Sequence, residues 1–339
     1  MYLCFMIFVT GGTGLVGSHV LLKLAKKGEN LKALKRTNSS LEVCKSVFSF
    51  YNADALFDKI NWVEGDVNDI PSLTERMKGC EKLIHCAAIV SFYASDAELL
   101  KKVNVEGTAN VMNVALASDI KKVGFVSSIA TLGRNSTLGM VDEECQFKIT
   151  KLDSNYALSK YYAEQEVWRA SNEGLDVVIV NPSVILGPGD WTKGSSQIFQ
   201  KIHKGLKFYT QGSTGYVDVN DVAESVLQLL FSEIKNERFI VNGANLKYRD
   251  CFDRIAVAFN KPKATIKVTP LLKEIAWRVE AVRAFFTAQK PLLTRETANS
   301  AMTSSTFDTS KIEKMINFQF TDMDTTIKKY AAWFIADLK

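Results

Sequence analysis

The sequence predicts an α/β protein built on a doubly wound parallel sheet, and three observations predict it. Short, continuous apolar runs alternate with amphipathic stretches through the first half of the chain, as expected of strands buried on both faces and separated by helices. The first run ends directly in glycines, Thr10-Gly11-Gly12-Thr13-Gly14-Leu15-Val16-Gly17, and a helical period follows at once. The 339 residues, 47% hydrophobic and 23% charged, suffice for a sizeable core. At ~150 residues per domain they make two domains, or one large domain with an appendage.

Residues 5–9 form the first strand. The greasy approach from Met1 lacks a basic segment and runs straight into glycine, so it reads as a strand rather than a leader, with Met6 as an alternative start. Apolar positions in 18–27 recur at helical spacing. Residues 31–34 give the second strand and 62–63 the third, ahead of Gly65-Asp66; 82–90 contain the fourth, 122–126 are the fifth and 176–180 the sixth. Helical patterns at 105–115 and 156–170 separate them. After Gly187-Pro188-Gly189 the alternation weakens. A helix covers 219–231, a seventh strand lies at 238–241 before Asn242-Gly243, and the remainder reads as helical, including 271–286 and 323–338. Residues 1–189, with 213–243 returning to them, form a nucleotide-binding unit; 190–212 and 244–339 form a smaller, mostly helical substrate subdomain.

Charge and cysteine usage exclude several classes. Lysine and arginine number 42 against 37 acids, a net +5, and neither sign forms a long run, so no nucleic-acid partner is expected. No stretch approaches the ~20 apolar residues of a membrane span. Residues 271–286 are the most apolar helix, but Glu274, Arg278, Glu280 and Arg283 interrupt them, so a packed lid or core helix is expected and no membrane partner. Cys4, Cys44, Cys80, Cys86, Cys145 and Cys251 show no CxxC spacing, and His19, His85 and His203 share no ligand spacing. No metal site is expected, and a reducing, cytoplasmic setting fits.

Gly11, Gly14 and Gly17 stand in TGxxGxxG spacing between a strand and a helix. The physical demand is a tight turn, close backbone approach to a pyrophosphate, and a helix N-terminus aimed at it. An NAD-type fold wants an acid at the tip of strand two, to hold the ribose 2′-hydroxyl. That tip reads Lys35-Arg36-Thr37-Asn38-Ser39-Ser40, with no acid. A guanidinium binds a 2′-phosphate bidentately where a carboxylate would repel it, so NADP(H) is preferred through Arg36, with NAD(H) still open. Asp66 either accepts from the adenine amino group or is a turn residue after Gly65.

Tyr156-Ala157-Leu158-Ser159-Lys160 puts a phenol and an ammonium four apart on one helix face, and Ser127-Ser128 closes strand five about 28 residues earlier. A phenol of pKa ~10 is a poor acid-base at neutral pH, and lowering it by three units needs about 4 kcal/mol. One cation ~4 Å away at an effective dielectric of ~20 supplies about that much. Lys160 is therefore expected to help depress the phenol of Tyr156, assisted by the charge of an oxidised nicotinamide.

With these residues in hand, the chain resembles the extended short-chain dehydrogenases/reductases, also called the NAD-dependent epimerase/dehydratase family. Thr10 to Gly17, Gly65-Asp66, His85 to Ala88, Asn104 to Thr108, Ser127-Ser128, Tyr156 to Lys160 and Asn181 to Pro188 carry the resemblance. It implies a Rossmann-type sheet, with Tyr156 as proton donor/acceptor, Lys160 also on the nicotinamide ribose, and Ser128 holding the substrate oxygen. Asn104 corresponds to a helix asparagine that supports the lysine through water. Cofactor contacts extend to Thr10, Leu15, Val16, Val67, Ala87, Ala88, Pro182, Ser183 and Val184. The family also implies a homodimer through a four-helix bundle of 105–115 and 156–170, although those apolar positions can equally face only their own sheet.

The implied activity is an NAD(P)-dependent oxidoreductase interconverting a secondary alcohol and a ketone. Two alternatives stand: a nucleotide-sugar epimerase of the same family, and a catalytically silent NADP-binding regulatory protein. Sugar-nucleotide members carry an asparagine and a tyrosine where Val184 and Leu186 stand here, and dehydratases an acid where Ile129 and Ala130 stand. The stretch looks more like dihydroflavonol reductases and hydroxysteroid dehydrogenases, whose substrates are less polar. Phe92, Trp191 and Ser196, with Tyr93, Phe199, Tyr209, Lys193 and Ser195, either line such a pocket or are ordinary packing and loop residues.

Overall fold

The computed structural model describes residues 6–133, 139–150, 153–287, 290–291 and 293–338. Phe5, the expected start of the first strand, and Cys4 lie outside them. Seven parallel strands form one sheet: β1 (Met6–Thr10), β2 (Asn30–Lys35), β3 (Asn61–Glu64), β4 (Lys82–His85), β5 (Lys122–Val126), β6 (Asp176–Pro182) and β7 (Glu237–Val241). Their order is β7-β6-β5-β4-β1-β2-β3, so the winding reverses between β1 and β4. Ligands of such sheets sit beyond the carboxyl ends of the strands at that reversal. Side chains alternate across it: Ile7 and Val9 enter one core with Val178 and Val180, while Phe8 enters the other with Val177 and Ile179. Helices α1 (Leu15–Lys26), α2 (Gly107–Leu116), α3 (Asn155–Asn172) and α4 (Val219–Phe231) cover the two faces, α1 and α4 on the first and α2 and α3 on the second.

The fourth strand ends at His85, short of the expected reach toward residue 90. Its register shows why: His85 pairs with Thr10 on one side and Phe125 on the other, and β1 then turns away at Gly11, leaving no ladder to continue. The helix expected from residue 18 starts at Leu15, because the extended Gly14 already serves as its N-cap. Beyond β6 the chain is less helical than its pattern implied. Val184–Leu186 runs parallel to Ser213–Asp218, which pairs antiparallel with Ala244–Lys247; Phe208–Tyr209 pairs with Ile266–Lys267. Strands of two to six residues carry too few side chains for a legible period.

α5 (Pro270–Thr287) lies on the surface: none of its described side chains is fully buried, so it is not a core helix. α6 (Met323–Asp337) bridges both parts of the chain. Phe334 packs on Phe259 and Trp191, while Trp333 stacks on Phe50 at 3.5 Å and the Tyr330 hydroxyl donates to Asp218 at 2.6 Å.

Candidate active site

Strand β1 delivers its glycines to the sheet's carboxyl edge under tight constraint. Gly11 has φ +71°, and a Cβ there would lie 2.6 Å from the Ala87 nitrogen; a Cβ on Gly17 would lie 2.1 Å from the Gly11 carbonyl oxygen. No side chain larger than hydrogen fits either place. The first bond inside α1 runs from the Ser18 amide to the Gly14 carbonyl at 3.0 Å. The amides of Leu15, Val16 and Gly17 therefore open the helix at its positive end, and Gly14 offers no capping side chain. Donors aimed outward over a glycine cradle fit a pyrophosphate. Thr10 serves the site from within, since its side chain is wholly buried.

A directed chain of hydrogen bonds fixes the neighbouring strand end. The Thr108 hydroxyl donates to the Asn104 carbonyl at 2.6 Å, which uses its one proton. Its oxygen must then accept from His85 Nε2, 3.0 Å away. His85 is fully buried, and desolvation first, then the Lys160 charge, press its pKa down to about 3. The ring is neutral, so Nδ1 accepts from the Thr10 hydroxyl at 2.6 Å, and Thr10 Oγ1 in turn accepts the Ala87 amide at 3.3 Å. Every member has one direction available. Ala87, against which Gly11 is pressed, is thus tied through His85 to the helix that carries Asn104.

Strand β5 ends in Ser127 and Ser128, and α3 brings Tyr156 and Lys160 to the same edge. Ser128 is extended and accepts the Ala130 amide at 3.1 Å. Burial pushes the Tyr156 phenol up, and the neighbouring Ser128 hydroxyl draws it partly back. Lys160, 2% exposed, donates to the Val126 carbonyl at 2.9 Å and sits 4.6 Å over the Phe125 ring. Desolvation lowers its pKa to about 8 against the opposing pull of Glu164 and Cys86. Burial thus acts against the depression of the phenol expected from Lys160 together with a nicotinamide. The ammonium is held on the strand carbonyl.

A glycine cradle at a helix N-terminus, with serine, tyrosine and lysine converging at the same sheet edge, has close counterparts among known proteins. The profile of the NAD dependent epimerase/dehydratase family matches residues 7–242. The chain belongs to this family. It is 30% identical over 341 residues to a putative dihydroflavonol 4-reductase of Synechocystis, covering 98% of this chain and 94% of that one. It is 26% identical over 270 residues to the UDP-glucose 4-epimerase of Vibrio cholerae, covering 76% of each. Among solved structures, that of gox2253 superposes with a TM-score of 0.80 at 29% identity, covering 98% of both chains.

Within this family member the remaining expected residues divide into those at the edge and those drawn elsewhere. Arg36, Asp66 and Gly65 line one cleft of about 500 Å³ with Thr37, Asn38 and Asp69. Lys35 is held by Glu64 at 2.9 Å, which leaves the exposed Arg36 as the cation of that cleft. Asp66 Oδ1 accepts twice from Asn68, through its amide and its side chain, and Val67 packs beneath Gly107. Ala88 is exposed, Pro182 is buried, and Val184 is half-buried beside Tyr216. Ser183, 6% exposed, has a hydroxyl with no protein partner among the described residues, a donor suited to a bound amide. Asn104 does not hold Lys160 directly: its amide accepts from the Ile89 nitrogen and donates to the Ile89 carbonyl and the Ser159 hydroxyl.

On the substrate side, Phe92 meets the Tyr156 ring edge-on at 5.5 Å. Trp191 and Ser196 are not arranged as substrate contacts. The Trp191 indole donates to Asp337 at 2.8 Å and packs on Phe334 and Phe199. Ser196, 2% exposed, gives its proton to the Gly187 carbonyl at 3.0 Å. Of the other pocket candidates, Phe199 is core, while Tyr93 and Tyr209 lie under Lys290 and Arg249.

One residue escaped the sequence reading. Glu164, 1% exposed, accepts from Ser127 at 2.5 Å, Thr131 at 2.7 Å, Asn181 at 2.9 Å and Trp168 at 3.4 Å, and pairs with Arg238 at 3.1 Å. The Thr131 hydroxyl and the Asn181 amide also lie within 3.2 Å of the Ser128 carbonyl. Its signal was present: Tyr156, Lys160 and Glu164 recur every four residues along one buried helix face. Among the described residues no cluster of histidine, cysteine or carboxylate could hold a metal ion, and Cys44, Cys80, Cys86, Cys145 and Cys251 are free thiols.

Proposed function

We propose that the chain is an NADP(H)-preferring reductase that interconverts a ketone and a secondary alcohol on an apolar or aromatic substrate. The observation that carries the reading is the placement of Ser128, just past β5, beside Tyr156 and Lys160, one helical turn apart on α3, next to the glycine cradle. A bound nicotinamide dinucleotide supplies hydride transfer at the substrate carbon. Tyr156, whose phenol keeps its proton at neutral pH because burial raises its pKa, gives that proton to the carbonyl oxygen, which Ser128 orients. In the reverse direction the same phenol receives the alcohol proton. Lys160 contributes its positive charge beneath the site from a fixed place on Val126.

Two features favour the cofactor and substrate class. The β2 tip offers Arg36 and no carboxylate, which suits a 2′-phosphate. The Phe92 ring lies against Tyr156, and Val184 and Leu186 offer no hydrogen bond to a diphosphate, so a sugar nucleotide would leave charge unpaired beside apolar side chains. The epimerase alternative rests on the Vibrio cholerae relative.

The test has two arms. Oxidation of NADPH is followed against a panel of ketones, aldehydes and sugar nucleotides, with Tyr156→Phe beside the wild type. Turnover of aromatic or alicyclic ketones that vanishes in Tyr156→Phe, with NADPH binding retained, is expected. Unchanged turnover in the variant refutes the proton role, and micromolar binding of a UDP-sugar favours the epimerase.

A further inference from the structure

Helix α5 is built inside out. At 100° per residue, Leu271, Ile275, Val279 and Val282 share an arc of about 80°, and they are 50 to 71% exposed, with Phe286 continuing the row. The opposite face, which meets the protein, mixes the half-buried Ala276, Trp277 and Ala284 with charge: the side chains of Lys273 and Glu280 are only 18% and 15% exposed, and Lys273 donates to Asn299 at 2.7 Å. A helix resting on a water-exposed surface ordinarily shows the reverse arrangement. Just before it, the paired Phe208 and Ile266 add two more exposed apolar side chains.

The charge around this row is equally uneven. Residues 261–295 hold eight lysines and arginines against two acids, a surplus of six, whereas the whole chain has a surplus of five. The rest of the molecule is thus close to neutral. An apolar row set in a concentrated positive field matches a surface that is apolar below and anionic above. A second copy of the chain does not match it, because a symmetric contact would bring two such positive fields together. No helix among the described residues is long and apolar enough to cross a membrane. Past the end of α5, Lys290 pairs with Asp96 at 2.8 Å and covers Tyr93, next to the Phe92 that meets Tyr156.

We propose that α5 lies flat on an anionic lipid surface, its apolar row in the acyl boundary and its lysines and arginines among the headgroups. The reading is independent of which substrate turns over. Flotation with vesicles of phosphatidylcholine alone, and with about 30% phosphatidylglycerol, tests it on the full chain. Binding to the anionic vesicles at low salt is expected, about tenfold weaker at high salt or on neutral vesicles. Val279→Asp/Val282→Asp should lose at least about tenfold, and Lys263→Glu/Lys267→Glu, which leaves the apolar row intact, a similar amount. Thermal melting of both variants controls for folding; should the first unfold, the second carries the test alone. Absence of the wild type from anionic vesicles overturns the proposal, as does binding indifferent to the lysine reversals. A particle mass that falls in Val279→Asp/Val282→Asp without vesicles also overturns it, in favour of a contact between copies.

Discussion

Replacing Glu164 by glutamine keeps the side chain's size and removes its charge from a place where five donors converge. One oxygen receives Ser127, Thr131 and Asn181, the other Trp168 and Arg238. An amide presents one oxygen and one NH2 group. Turned toward the first set, the NH2 group lets the two hydroxyls rotate to accept, but it opposes the Asn181 NH2 group, 2.9 Å away, which cannot accept. Turned the other way, it faces the guanidinium. Hydrogen bonds to a charged group are worth about 1.5–3 kcal/mol each, and unpairing one member of a buried ion pair costs about 3–5 kcal/mol. The Arg238 side chain, 20% exposed, recovers part of this through water. We expect a loss of about 3–4 kcal/mol, which in a chain of this size lowers Tm by roughly 5 °C. Glu164 also supports the charge on Lys160, so the variant's alkaline loss of activity should move to lower pH. Differential scanning calorimetry with a pH–rate profile makes the measurement. A Tm within about 1 °C of wild type, well inside that expectation, would show that the network contributes little.

Three further outcomes are expected from the geometry. Gly17→Ala should abolish dinucleotide binding and lower stability, because its Cβ would sit 2.1 Å from the Gly11 carbonyl oxygen; intact binding by fluorescence titration would contradict the cradle. Arg36→Gln should weaken NADPH at least about tenfold, or about 1.4 kcal/mol, and leave NADH unchanged; equal losses would deny the 2′-phosphate contact. His85 and His19 are buried with pKa values pressed to about 3 and about 4, chiefly by desolvation. In the unfolded chain both take a proton near pH 6.5; the folded chain does not, so stability should fall as pH drops from 6.5 toward 4. Urea midpoints across that window check it, and a flat profile would contradict neutral burial.

What the sequence makes legible has a common character. The β1 run, the glycine spacing and the pair Tyr156 and Lys160 are local: each lies within a few residues, where periodicity and spacing act. Lys160 shows the limit. Its helix face is readable, but its partner is the Val126 carbonyl, a main-chain atom with no letter in the sequence. The donors of Glu164 come from positions 127, 131, 168, 181 and 238, brought together only by the sheet order. Trp191 reads as a pocket wall, yet an indole satisfies a protein hydrogen bond as readily as a ligand, and Asp337 lies 146 residues away. The outward apolar face of α5 is hidden for the same reason. A helical stripe has no sign until something stands on one side of it.

The interleaving of the small sheet limits how this molecule can change. Its three strands flank the segment 190–212, one before it and two after, and α6 closes onto Asp218 and onto Phe50 near the other end of the chain. No single cut releases the substrate side as a cassette, because any cut leaves a strand edge or an aromatic stack bare. A new specificity must therefore arise by exchanging side chains in place, as at Phe92 or Val184. Recombination that swaps whole segments should yield insoluble chains. Point replacement around the Tyr156 edge should yield folded ones.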